Sequence, residues 1–217
     1  MNIIVKPYGS DLCYCRPDTT WERENKDFYS PECVNEIYWT PVVFARISKA
    51  GKCVGSKFVG RYYDAVGCGL LMYCSEQAMI SNGPLPTSWA PPPTRGWENA
   101  ISDHQPIRQL SHIVDKTSIL PHPLFQPVVL EDEKEFTVST KVAGTGSNAE
   151  ASVILSGAKD LLEEALCKAS ELTSLRIGDF VAVELKEQQK LANKEDGTVA
   201  VKGEFCEKEI FSFSIIF

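Results

Sequence analysis

The chain has 217 residues, of which 43% are hydrophobic and 24% charged, and its formal net charge is −7. That length buries a sizeable core and fits one domain spanning 1–217, with a composition ordinary for a soluble globular protein. An acidic balance with no basic run argues against nucleic acid or an anionic membrane surface as a partner, and no apolar run is long enough to span a bilayer.

The opening MNIIVKPYGSDLCYC lacks the apolar core and cleavage site of a signal peptide, so the expected location is cytoplasmic. Eight cysteines (13, 15, 33, 53, 68, 74, 167 and 206) include no CxxC pair. They read as small buried hydrophobes rather than as disulfides or a zinc site. Residues 2–5 and 12–16 read as short strands, the second ended by Arg16-Pro17-Asp18-Thr19. Arg16 reads as a solvated loop arginine or as an anion-facing group.

The stretch NEIYWTPVVFARISKAGKCVGSKFVGRYYDAVGCGLLMYC, residues 35–74, organises the chain. Over 36–47 the odd positions Ile37, Trp39, Pro41, Val43, Ala45 and Ile47 place one wholly apolar face on a strand. Ala50-Gly51-Lys52 makes a turn, 57–63 a short helix pairing Phe58 with Tyr62, and 66–74 a second apolar strand. Residues 81–97, SNGPLPTSWAPPPTRGW, hold five prolines, which exclude helix or sheet interior. This is a Pro/Trp-rich loop, a lid or a binding loop in character, with Trp89 and Trp97 seeking a surface to cover.

All three histidines follow, at 104, 112 and 122. Asp103 and His104 are candidates for acid–base work, although these histidine spacings match no metal-ligand pair. Residues 125–130 and 136–142 read as strands around an acidic turn, and 144–148 as a flexible loop rather than a phosphate cradle. Ala158, Leu161, Leu162, Ala165, Leu166, Ala169 and Leu172 recur at helical spacing, with Ser156 as N-cap and Glu163 and Glu164 on the wet face. Leu175-Arg176-Ile177-Gly178-Asp179 turns into a strand over 180–185. Phe211, Phe213, Ile215 and Phe217 then alternate with serines along a final half-buried strand. Many strands and few helices give an α+β domain that is mainly β.

The order of these features resembles the core of the fumarylacetoacetate hydrolase superfamily. That family carries a Glu-x-Glu strand, a Gly-Lys turn, a short helix, and a strand bearing a third carboxylate. Later come a helix, a Leu-x-x-Gly-Asp turn and a strand ending in Gly-Thr. Here Gly51-Lys52, Arg61-Tyr62-Tyr63, Gly67 and residues 175–179 keep the pattern. The resemblance implies a mixed β-sheet roll with few helices and, since such proteins commonly pair, a homodimer. It places the three carboxylates of the family's Mg²⁺ or Ca²⁺ site on Trp39, Pro41 and Tyr73, none of which is a carboxylate. No lysine lies between Lys57 and Lys116, no histidine precedes His104, and the strand after Asp179 lacks Gly-Thr. In place of Gly-Thr it carries Glu184, which repels a carboxylate.

The resemblance therefore implies a scaffold without the metal cofactor, acting as a small-molecule-binding or structural protein. The alternative is an oxo-acid hydrolase, isomerase or decarboxylase whose chemistry has moved to Asp103, His104 and Cys68 or Cys74. If the cleft survives, Trp39, Pro41 and Tyr73 form its floor, Trp89, Arg95 and Trp97 cover it, and Arg16 and Arg61 stand at its rim. Such walls suit a flat anionic aromatic ligand. If it does not, the aromatic residues fill it and leave no cavity.

Overall fold

The computed structural model describes residues 1–75, 111–112, 114–143 and 148–217. In chain order the strands are β1 (Asn2–Lys6), β2 (Tyr14–Pro17), β3 (Trp21–Glu22), β4 (Phe28–Tyr29), β5 (Glu36–Ile47), β6 (Tyr63–Ser75), β7 (Ser111–His112) and β8 (Ser118–Ile119). After them come β9 (Glu135–Val142), β10 (Asn148–Ile154), helix α1 (Ala158–Leu172), β11 (Phe180–Glu184), β12 (Gln189–Asn193), β13 (Thr198–Phe205) and β14 (Lys208–Ile216). The fold is α+β and mainly β, as the periodicities imply.

Two sheets share the strands. The larger runs β2-β1-β11-β5-β6-β8-β3, with β12 also on β5 and β7 also on β6. It is mixed, since β1 lies parallel to β11 while β5 is antiparallel to both β11 and β6. The smaller runs β10-β9-β13-β14-β4. Between the sheets lies the main core, where Ile4, Val43, Ala45, Leu70 and Val181 of the large sheet meet Leu162, Leu166 and Ala169 of α1. Phe136, Val201, Phe211 and Ile215 of the small sheet close it. The opposite face of the large sheet holds a second cluster, with Ile3, Val5, Val42, Phe44, Leu71, Tyr73, Phe180 and Ala182. Alternation along each strand thus divides one sheet between two interiors, which is why its strands read as nearly continuous apolar runs.

Pro41 has a positional reason inside the longest hairpin. The N and carbonyl of a strand residue point to the same neighbour, and the Pro41 carbonyl accepts from Leu185 N–H at 2.9 Å. Pro41 therefore sits opposite Leu185 and, lacking an N–H, returns no bond to it; that loss falls at the seam where β12, paired up to Trp39, gives way to β11, which is paired from Val42.

Several local expectations are corrected. Residues 56–61 form a 3₁₀ turn, Ser56–Arg61, that buries Val59. Its three-residue period brings Arg61 over the Phe58 ring at 5.4 Å, so Phe58 does not pair with Tyr62. The strand expected over 125–130 is instead a 3₁₀ turn, Pro127–Leu130, because Pro127 fixes φ at its start. Helix α1 begins at Gly157, whose φ of 70° favours glycine, while Ser156 donates to Glu133 at 3.2 Å. In the final strand Phe211, Phe213 and Ile215 are buried inside the chain. The Pro/Trp-rich loop 81–97 and most of 144–148 lie outside the described residues. Among the described residues no helix is long and apolar enough to cross a membrane.

Candidate functional site

Polar side chains enter the second cluster from three strands. On β2 the alternation Tyr14-Cys15-Arg16 turns Tyr14 and Arg16 to the same side, where they pair with Val5 and Ile3. On β6, Tyr73 stands opposite Tyr38 of β5, and on β11 Glu184 stands opposite Val42. Arg16 has no exposed surface at all, and Glu184 and Tyr73 have 5% each.

These groups form one chain of hydrogen bonds. Arg16 Nε donates to Tyr14 Oη at 3.4 Å, and the Tyr14 and Tyr73 hydroxyls are 2.6 Å apart. The Tyr73 hydroxyl donates to Glu184 Oε1, and Glu184 Oε2 accepts from Tyr8 N–H at 3.1 Å. The guanidinium also lies 4.6 Å from the centre of the Tyr73 ring. Its remaining donors go to Met72 O at 2.8 Å, Thr117 O at 3.1 Å and Ser118 Oγ at 3.0 Å. Burial drives the Tyr73 and Tyr14 phenols above their ordinary range, so both are neutral donors at physiological pH. Burial also raises the Glu184 carboxyl, against the opposing pull of the Tyr73 hydroxyl, Tyr8 N–H and Arg16. A buried arginine and a buried glutamate are thus joined through two tyrosines, with every strong donor placed.

The structure separates the residues expected to form one floor. Tyr73 belongs to this polar centre, whereas Trp39 lies beside Met72 in the main core on the other face of the sheet. Pro41, two residues from Trp39, shares its side. Arg16 is neither a solvated loop residue nor a rim group, being fully buried on a strand. Arg61 is exposed on the turn that buries Val59 in the main core, away from the polar centre. Cys68 and Cys74 also point into the main core, and burial holds Cys68 well above the ordinary thiol range and pushes Cys74 up to about 12. Neither sits beside Tyr73 as a thiolate. Asp103, His104, Trp89, Arg95 and Trp97 lie outside the described residues.

Tyr14 and Glu184 were not legible as partners of Tyr73. The available signals were Tyr-x-Arg at strand period on β2, and a carboxylate ending the apolar run Phe180-Val181-Ala182-Val183-Glu184.

Among the described residues a mixed sheet carries one α-helix on one face and the polar centre on the other, an α+β arrangement. No family model and no curated protein matches the sequence. Solved structures match over the whole fold. A fumarylpyruvate hydrolase from Pseudomonas aeruginosa, in complex with Mn²⁺ and pyruvate, is similar at 12% identity and TM-score 0.63, over 100% of this chain and 90% of that one. A structure from Yersinia pestis CO92 assigned to the fumarylacetoacetate hydrolase family is similar at 12% identity and TM-score 0.62, covering 99% and 92%. A maleylpyruvate hydrolase from Sphingobium sp. SYK-6 is similar at 11% identity and TM-score 0.61, covering 99% and 69%.

The residues of the polar centre do not fit a divalent cation. Such an ion needs several oxygen ligands, usually charged. Among the described residues of this centre Glu184 is the one carboxylate, and both its oxygens already accept hydrogen bonds. The buried Arg16 guanidinium adds a fixed positive charge to the same cluster. No three His, Cys, Asp or Glu side chains converge elsewhere among the described residues.

Proposed function

We propose that this chain is a divergent fumarylacetoacetate hydrolase-fold protein that does not run metal-dependent hydrolysis at its polar centre and acts as a small-molecule-binding or structural protein. One observation carries the reading: the Arg16–Tyr14–Tyr73–Glu184 chain satisfies its own charges and hydrogen bonds inside the sheet. A catalytic centre keeps polar groups in reserve for a substrate, and these are spent on one another. The donor set supports the same conclusion, because a cation beside Arg16 would meet repulsion from its charge and one occupied carboxylate.

The test uses the purified full chain, dialysed and then supplied with Mn²⁺ or Mg²⁺. Metal analysis should return a substoichiometric content, neither ion should raise the melting temperature, and neither fumarylpyruvate nor maleylpyruvate should be turned over. Mn²⁺-dependent turnover, or a melting rise that Glu184→Gln abolishes, would overturn the reading.

A further inference from the structure

The face of the large sheet that carries the polar centre has a second concavity at the other end of β5 and β6. It is an open groove of about 680 Å³ whose lining includes Arg46, Asp64, His122, Leu124, Phe125 and Gln126. Arg46 lies four residues along β5 from Val42, the position opposite Glu184, about 13 Å at strand rise. The groove is therefore separate from the closed centre, and its binding properties are independent of whether that centre is inert.

The groove's polar groups are unevenly used. Arg46 donates Nε and Nη2 to the two oxygens of Asp64, at 3.0 and 2.8 Å, and among the described residues no other hydrogen bond engages the guanidinium. The imidazole of exposed His122 makes no hydrogen bond there either. Its ring is held 6.0 Å from that of Trp21, and the Arg23 guanidinium stands 5.2 Å over the same Trp21 ring. The charged groups facing His122 are thus Arg46 from β5 and Arg23 after β3, with Asp64 of β6 tied to Arg46. Partial desolvation, then Arg46, then Arg23 push the His122 imidazole below its ordinary range. An arrangement with one open guanidinium edge, a neutral imidazole and an excess of positive charge lacks an anion. Beside these groups the half-buried Leu124 supplies an apolar contact, whereas the Phe125 ring turns into the main core against Phe205.

We propose that this groove binds a small organic carboxylate, its oxygens against Arg46 and His122 and its apolar body against Leu124. Guanidinium pairs with carboxylate through planar, charge-assisted hydrogen bonds. Inorganic phosphate offers the charge without a body to bury, so it binds more weakly here.

Benzoate is the probe, followed through the His122 ring-proton resonance, which is assigned with His122→Gln. Saturation should move that resonance and raise the His122 pKa by about one unit, because a bound anion favours imidazolium. Proton and ligand binding are linked, so affinity should climb toward the same factor of about ten as pH falls from about 8 toward about 5. Arg46→Gln should weaken binding about tenfold, and Asp64→Asn, which releases the guanidinium, should tighten it. An unmoved His122 resonance, undiminished affinity in Arg46→Gln, or looser binding in Asp64→Asn overturns the proposal. Phosphate binding as tightly as benzoate does so too, since it would show ionic attraction alone.

Discussion

Arg16 carries a full charge into a sheet interior, and its neighbours decide whether that is tolerable. A guanidinium offers five donors in a rigid fork, which here reaches two carbonyls, a serine hydroxyl and Tyr14 while the flat face stacks on Tyr73. Glu184 is the weaker end of this arrangement, because burial disfavours its ionised form. A carboxyl whose folded-state pKa lies above its ordinary 4.5 contributes stability below that value and loses it as pH rises through the elevated one. Glu184→Gln keeps an acceptor for Tyr73 and removes the titration. Urea unfolding of both proteins across about pH 4 to 8 should therefore show the wild type losing ground to the variant, by about 1.4 kcal/mol for each unit of elevation. A pH-independent difference would mean that Arg16 fully offsets the buried charge.

At the scale of elements, the β5–β6 hairpin is held by close backbone approaches that only glycine permits. A methyl group on Gly69 would overlap the carbonyl oxygen of Ile119, where β8 pairs with β6. Backbone cannot rotate away as a side chain can, so Gly69→Ala should cost at least about 1–3 kcal/mol in denaturant unfolding. Gly60→Ala is the matched control: its methyl would meet only Glu163 Oε1, at 3.9 Å, in the exposed 3₁₀ turn. Equal stability of the two variants would show that β8 is not packed on β6 as described.

For the whole molecule, the two sheets bury the apolar face of the last strand internally, so assembly has to use other surface. The outer edge of β10 is available. It pairs only with β9 among the described residues, and Ile154 at its end is 64% exposed. We expect a homodimer burying more than about 1,000 Å² in total, and Ile154→Lys to weaken it. Light scattering at micromolar concentration checks this, and a monomeric mass for the wild type removes it.

The sequence by itself determined the long β5–β6 hairpin, helix α1, the turn at 175–179 and the buried last strand. In each the signal is local: side-chain alternation, helical spacing, or a glycine whose φ of 89° at Gly178 suits no other residue. It also made visible that Trp39, Pro41 and Tyr73 are not carboxylates. It did not decide which of them face one another, because a strand buried on both sides is apolar at nearly every position and hides its parity. Pairing settles that: Tyr73 stands opposite Tyr38, Trp39 opposite Met72, and the sheet lies between the two sets. Nor did it show that Arg16, 168 positions before Glu184, shares a buried chain with it, since no local pattern encodes a contact made by two strands meeting through β1. Tertiary structure alone turned a loop arginine and a misplaced glutamate into one polar centre, because burial makes each charge depend on finding the other.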